Sequence, residues 1–126
     1  MDETTSRHLG ELQEALNGLA GMYANISMYL PAGQDVGADL CRFKLRIATV
    51  HGEAAMALII GGDYKHATRH LGLAAHEVAD LAGICAENHW EDPKPLLRLA
   101  WSCSIDAGCH LLILTGETDD TDSDPF

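Results

Sequence analysis

The sequence predicts an all-α protein, an antiparallel four-helix bundle, and three observations carry that prediction. Apolar side chains recur at alternating steps of three and four residues through three successive segments, the spacing that lines one face of a helix. Glycine, proline and aspartate gather at short breaks between the segments, where helices stop and restart. No stretch alternates apolar and polar residues as a half-buried strand requires. Four helices of about 25 residues with short connections favour antiparallel neighbours.

In the first segment Leu9, Leu12, Leu16, Leu19, Tyr23, Ile26 and Leu30 form a seam sustained over three heptads. Thr4, Thr5 and Ser6 are the candidate N-caps. Pro31 and Gly33 end this helix, and Asp35 stands where it can cap the next. Gly10, Gly18 and Gly21 each cost about 1 kcal/mol against alanine in a helix interior. Either another helix approaches closely there or the first helix is locally loose.

The second segment carries Val36, Leu40, Phe43, Ile47, Val50, Ala54 and Ala57 at the same steps, which reads as its core seam. A second apolar stripe, Cys41, Leu45, Ala48, Ala55 and Ile59, runs beside it. "GGD" at 61–63 supplies a glycine stop and an aspartate cap. The third segment repeats the seam with Tyr64, Ala67, Leu71, Ala74, Val78, Leu81 and Cys85. "NHWEDPKP" then breaks the chain, and Asp92 as N-cap with Pro93 at the first helical position starts a fourth helix running to about Thr115. That helix is apolar nearly all round, its polar groups falling on one line: Arg98, Ser102, Asp106 and His110.

Residues 1–116 read as one domain. Residues 117–126, "ETDDTDSDPF", read as a disordered acidic tail. The net charge of −11 is uneven: 1–40 holds six acids and one base, 41–116 eight acids and seven bases, and the tail five acids and no base. Two acidic ends repel phosphate backbones, which disfavours direct nucleic-acid binding and suits a basic protein partner. The start, "MDETTSRH", is polar and acidic where a signal peptide is basic and then apolar. The longest strongly apolar charge-free stretch, "AAMALIIGG", is too short to span a bilayer. The chain is therefore expected in the cytoplasm and not in a membrane. There Cys41, Cys85, Cys103 and Cys109 act as small reduced hydrophobes. Three lysines, three asparagines and 17 alanines fit a GC-rich bacterial or phage genome.

Helices 2 and 4 carry more apolar surface than a lone bundle of this size can hide. The economical reading is a second contact surface, a homodimer or a partner protein. The expected function is accordingly non-enzymatic protein–protein binding of the inhibitor, immunity or adaptor type, with no cofactor. Trp90, Leu97, Trp101, Ile105 and Leu112 are the candidate interface residues, tryptophan being a frequent anchor of interfaces.

Two other chemistries are readable. Arg46-x4-His51 resembles the active-site motif of the HEPN family, helical bundles that dimerise and often cut RNA without metal. The resemblance implies that Arg46 would stabilise the scissile phosphate and His51 would act as general acid or base. Here Ile47 follows the arginine where that family usually has a polar residue, and the family's R-x4–6-H pattern is matched a second time at Arg69-x6-His76. His66 and His70 stand at i,i+4, a spacing able to chelate a metal, and make a metal- or small-molecule-binding bundle a further alternative. The Glu-x-x-His motif of di-iron bundles is absent. Ser102, Asp106 and His110 have the residue types of a hydrolytic triad, but with the aspartate in the middle they read as a polar strip.

Overall fold

The computed structural model describes residues 3–33 and 35–115. It holds four helices, α1 (Glu3–Met28), α2 (Val36–Ile60), α3 (Tyr64–Glu87) and α4 (Lys94–Thr115). Among the described residues there is no strand. The acidic tail predicted at 117–126 lies outside the described residues. Each helix packs on the next in chain order and α4 closes back on α1, with no close backbone approach across either diagonal. The result is a square antiparallel bundle, as the seams and short connections require.

The breaks follow their local chemistry. Asp35 caps α2, its Oδ1 accepting from the Ala38 amide at 3.0 Å. α2 ends in a Schellman turn: Gly62 takes φ +83°, its amide donates to Ile59, and the Asp63 amide donates back to Leu58. α3 ends the same way without a glycine. His89 holds φ +59°, its amide donates to Ala86, and the Trp90 amide donates to Cys85. Two expected caps differ. α1 begins at Glu3, so Thr4, Thr5 and Ser6 lie inside its first turn. α4 begins at Lys94, and the buried Pro93 supplies the carbonyl that accepts from Leu97.

The seams of α1 and α3 face the core as predicted, with only Leu9 and Tyr64 at their ends half-buried. α4 contributes Leu97, Ala100, Ser104, Ala107 and Leu111, the serine satisfied by its own helix through the Ala100 carbonyl at 3.0 Å. α2 overturns the prediction. Its buried residues are Ala38, Cys41, Leu45, Ala48 and Ala55, essentially the second stripe. The bulkier seam points away: Val36 is 86% exposed and Val50 61%, with Leu40 and Phe43 about half exposed. The reason is size. Four of the five inward residues are small, and α2 packs on α3, whose buried face also includes Ala67, Ala74 and Ala75; small side chains permit close approach in a densely packed interior.

The glycine question in α1 also resolves. A Cβ at Gly10, Gly18 or Gly21 would meet nothing within 4 Å, so no helix approaches there. The opposite holds at Gly37, where a Cβ would lie 3.3 Å from the Trp90 ring. That glycine lets the indole close the end of the bundle over the start of α2. Among the described residues, α4 alone is long and apolar enough by composition to cross a membrane, a property the shorter stretch "AAMALIIGG" does not reveal. In the bundle, α4 packs against α1 and α3.

Candidate functional site

The most unusual surface is the outward face of α2. Val36, Leu40, Phe43, Ile47, Val50, Ala54 and Ala57 keep coiled-coil steps over three heptads, yet among the described residues none of them is buried: Ile47 and Ala54 are half-buried and the other five are exposed. Ile60, also exposed, turns instead to the cleft between α1 and α2. One rim carries the exposed Asp39, Arg46 and Glu53. The opposite rim is occupied within the bundle, where Lys44 Nζ stands 3.4 Å from both Glu77 and Asp80 of α3. Burial alone would lower the Lys44 pKa, and the two carboxylates outweigh it, leaving the ammonium held above its ordinary value. Glu77 and Asp80 thus tie α3 to α2.

The interface residues expected from the sequence are placed differently. Leu97 is 0% exposed and belongs to the core, so it offers nothing to a partner. Trp90, Trp101, Ile105 and Leu112 are half-buried. Trp90 lies between two clefts, one lined with Ala82, Gly83, Ala86 and Lys94, the other with Tyr29, Pro31 and Asp92. On α4 the exposed bulky groups are Leu99 and Ile113. The surplus apolar surface inferred from the sequence therefore sits mainly on α2, in residues read as core. Two apolar stripes on one helix were the signal, and which of them faced outward was the missing fact.

Arg46 lies exposed on the rim of the α2 face, whereas His51 turns toward α3. His51 Nδ1 is 2.9 Å from His70 Nδ1, with the rings tilted 38° to each other. Burial lowers the His51 pKa, and His70 lowers it further. The pair is joined by one hydrogen bond in which one imidazole must accept, so both rings cannot be protonated without repulsion. His66 and His70 do not converge. His66 Nδ1 is taken by its own cap residue, Asp63, at 2.8 Å.

The polar strip of α4 is open to solvent at Arg98 and Asp106 and half-buried at Ser102 and His110. His110 turns not to Asp106 but to α1, toward His8 and Glu11. Serine, aspartate and histidine therefore form no triad.

Two apolar clefts lie end to end between α1 and α2, sharing Leu16 and Met56, with volumes of about 210 and 270 Å³. Tyr23 lines the first, its buried hydroxyl without a hydrogen-bond partner. Burial pushes its pKa up to about 12, an effect that nearby Ser104 offsets only in part. The two sulfurs Cys41 and Cys85 meet between α2 and α3 and form no disulfide.

No protein-family model, curated protein or solved structure matches this chain.

Proposed function

We propose that this chain works by protein–protein binding and that its α2 face is the contact surface, covered first by a second copy of itself. One observation carries the reading: a three-heptad apolar strip lies exposed on the side of α2 opposite the core. Large contiguous apolar surfaces on soluble domains mark interaction sites.

The strip is complementary to itself when two copies run antiparallel. Its bulky residues fall in the first half of α2 and its small ones in the second. Antiparallel pairing about a two-fold axis near residues 48–50 sets Phe43 against Ala54, Leu40 against Ala57 and Ile47 against Val50. Large side chains then meet small ones, the alternation that fills a seam without voids. The same register brings Arg46 of each copy near Glu53 of the other, an opposite-charge pair made twice by symmetry. A parallel pairing stacks Phe43 on Phe43 and Ala54 on Ala54 and loses both features. Inhibitor, immunity or adaptor roles, a cytoplasmic setting and a bacterial or phage origin belong to the same reading. They rest on size, charge, the polar acidic start and the alanine-rich composition, not on the α2 geometry.

The test is sedimentation of the full chain at tens of micromolar beside Val50→Arg, whose charges would meet close to the axis. A wild-type dimer and a folded Val50→Arg monomer support the proposal. A wild-type monomer, or a dimer indifferent to Val50→Arg, overturns it.

A further inference from the structure

The bundle gathers three metal-ligating side chains that stand far apart in the sequence. His8 and Glu11 lie one turn apart near the start of α1, and His110 comes from the last turns of α4. In an antiparallel bundle those two stretches share an end. His8 Nδ1 stands 2.9 Å from His110 Nδ1, and Glu11 Oε2 stands 3.5 Å from His110 Nε2. One ligand atom from each residue lies within 4.8 Å of the other two.

We propose that His8, Glu11 and His110 bind a divalent transition-metal ion of the zinc class between α1 and α4, with water completing its coordination. Two imidazoles and one carboxylate form a ligand set that zinc accepts with a position left open. Calcium and magnesium call instead for oxygen ligands throughout.

The spacing fits with little movement. A tetrahedral zinc ion with bonds of about 2.0–2.1 Å keeps its ligand atoms about 3.3–3.4 Å apart. The two Nδ1 atoms need to part by only a few tenths of an ångström. Their rings are tilted by 51° with centroids 5.1 Å apart, so nitrogens rather than ring faces meet. His110 can give the ion only one of its nitrogens. With Nδ1 committed beside His8, Glu11 leaves Nε2 and reaches the ion by turning its exposed side chain. Both histidines are half-buried, which limits the rotamer freedom lost on binding. Among the described residues, no other three His, Cys, Asp or Glu side chains converge in this way. His51 and His70 meet without a third ligand, and His66 stays with Asp63.

The consequence is structural as well as chemical. The ion would tie the opening turns of α1 to the closing turns of α4, far from the α2 face, so the site and the docking surface are separately testable. The experiment is a calorimetric zinc titration of the untagged, chelator-treated full chain, run beside His8→Ala, His110→Ala, Glu11→Gln and the control His66→Ala. We expect one ion per chain and a thermal midpoint raised by zinc. Affinity should fall at least about tenfold in each histidine variant, fall less in Glu11→Gln, and stay unchanged in His66→Ala. Cobalt(II) in place of zinc should give the intense visible absorption of a four-coordinate site, absent in His8→Ala. His8 lies near a helix start, and circular dichroism checks that this variant keeps its fold even if His110→Ala does not. No saturable zinc binding overturns the proposal. So does binding that survives His8→Ala, or binding lost equally in His66→Ala, which marks adventitious capture by scattered histidines.

Discussion

Replacing Leu45 and Leu40 by alanine, one at a time, tests which way α2 faces. The two leucines share a helix and a chemistry but not an environment: Leu45 is 5% exposed and Leu40 45%. Leu→Ala removes three carbons, about 2.4 kcal/mol of transfer free energy when all are buried, at about 0.8 kcal/mol each. At Leu45 a residual cavity adds to this, because a close-packed interior relaxes only in part around the lost atoms, giving about 3 kcal/mol in all. At Leu40 roughly half the transfer term is realised in a single chain and solvent fills the gap, leaving about 1 kcal/mol. With a urea slope of about 1.5 kcal/mol per molar for a domain of this size, the midpoint falls by about 2 M for Leu45→Ala. For Leu40→Ala it falls by about 0.7 M.

The assay is urea unfolding followed by circular dichroism, with the chain diluted to a micromolar and again at a hundredfold higher concentration. In the dilute arm the two variants should differ threefold in cost. In the concentrated arm Leu40→Ala should lose further, because in an antiparallel pair its truncation opens two gaps. About 1 kcal/mol at each gap makes about a thirtyfold weaker dimer. If Leu40→Ala costs as much as Leu45→Ala at high dilution, α2 is turned half a revolution about its axis. The docking surface then disappears with that result.

Other perturbations address other parts of the molecule. Arg46→Glu and Glu53→Arg should each weaken self-association by about tenfold, and the double variant should recover most of the loss in sedimentation. Were Arg46 instead part of a ribonuclease site, Arg46→Ala and His51→Ala would abolish RNA cleavage in a gel assay while Glu53→Arg would not. Stability should decline as pH falls below the ordinary histidine value of about 6.5. His51 has its pKa lowered by burial and by His70, so the unfolded chain takes up its proton first. This contribution is complete above the unfolded value and is lost on descending toward the folded one. Comparing urea midpoints at pH 7.5 and 5.5 should show the fall, reduced in His51→Gln; an unchanged slope would refute the pair's role. His89→Gly should raise stability by about 1 kcal/mol, because a left-handed turn that costs a side chain suits glycine. Gly21→Ala should add about 0.5–1 kcal/mol in the same unfolding assay, since its Cβ meets nothing. A loss in either would place an unseen contact there.

What the chain disclosed and what it withheld have the same physical origin. Periodicity reports that a helix has an apolar face, and where there is one such face, as on α1 and α3, it also reports the direction of the core. α2 has two charge-free arcs, and periodicity treats them alike. The arc with Phe43, Leu40 and Val50 is the more hydrophobic, so transfer free energy alone selects it as the interior. The fold instead buries Ala38, Cys41, Leu45, Ala48 and Ala55, an arc in which four of five side chains are small and which meets the alanine-rich buried face of α3. That choice is a property of the pair of helices, invisible in either segment read singly. The same logic covers the two histidine pairs. His8 with Glu11 is legible as neighbours on one helical turn, but His110 joins them only through a topology that returns α4 to the start of α1. His66 and His70 satisfy the spacing rule and yet fail, since spacing fixes where a side chain starts and neighbouring helices decide where its nitrogen ends. A helix that turns its bulky residues outward forfeits transfer free energy within the single chain, and a second copy of the same strip, laid antiparallel, recovers it.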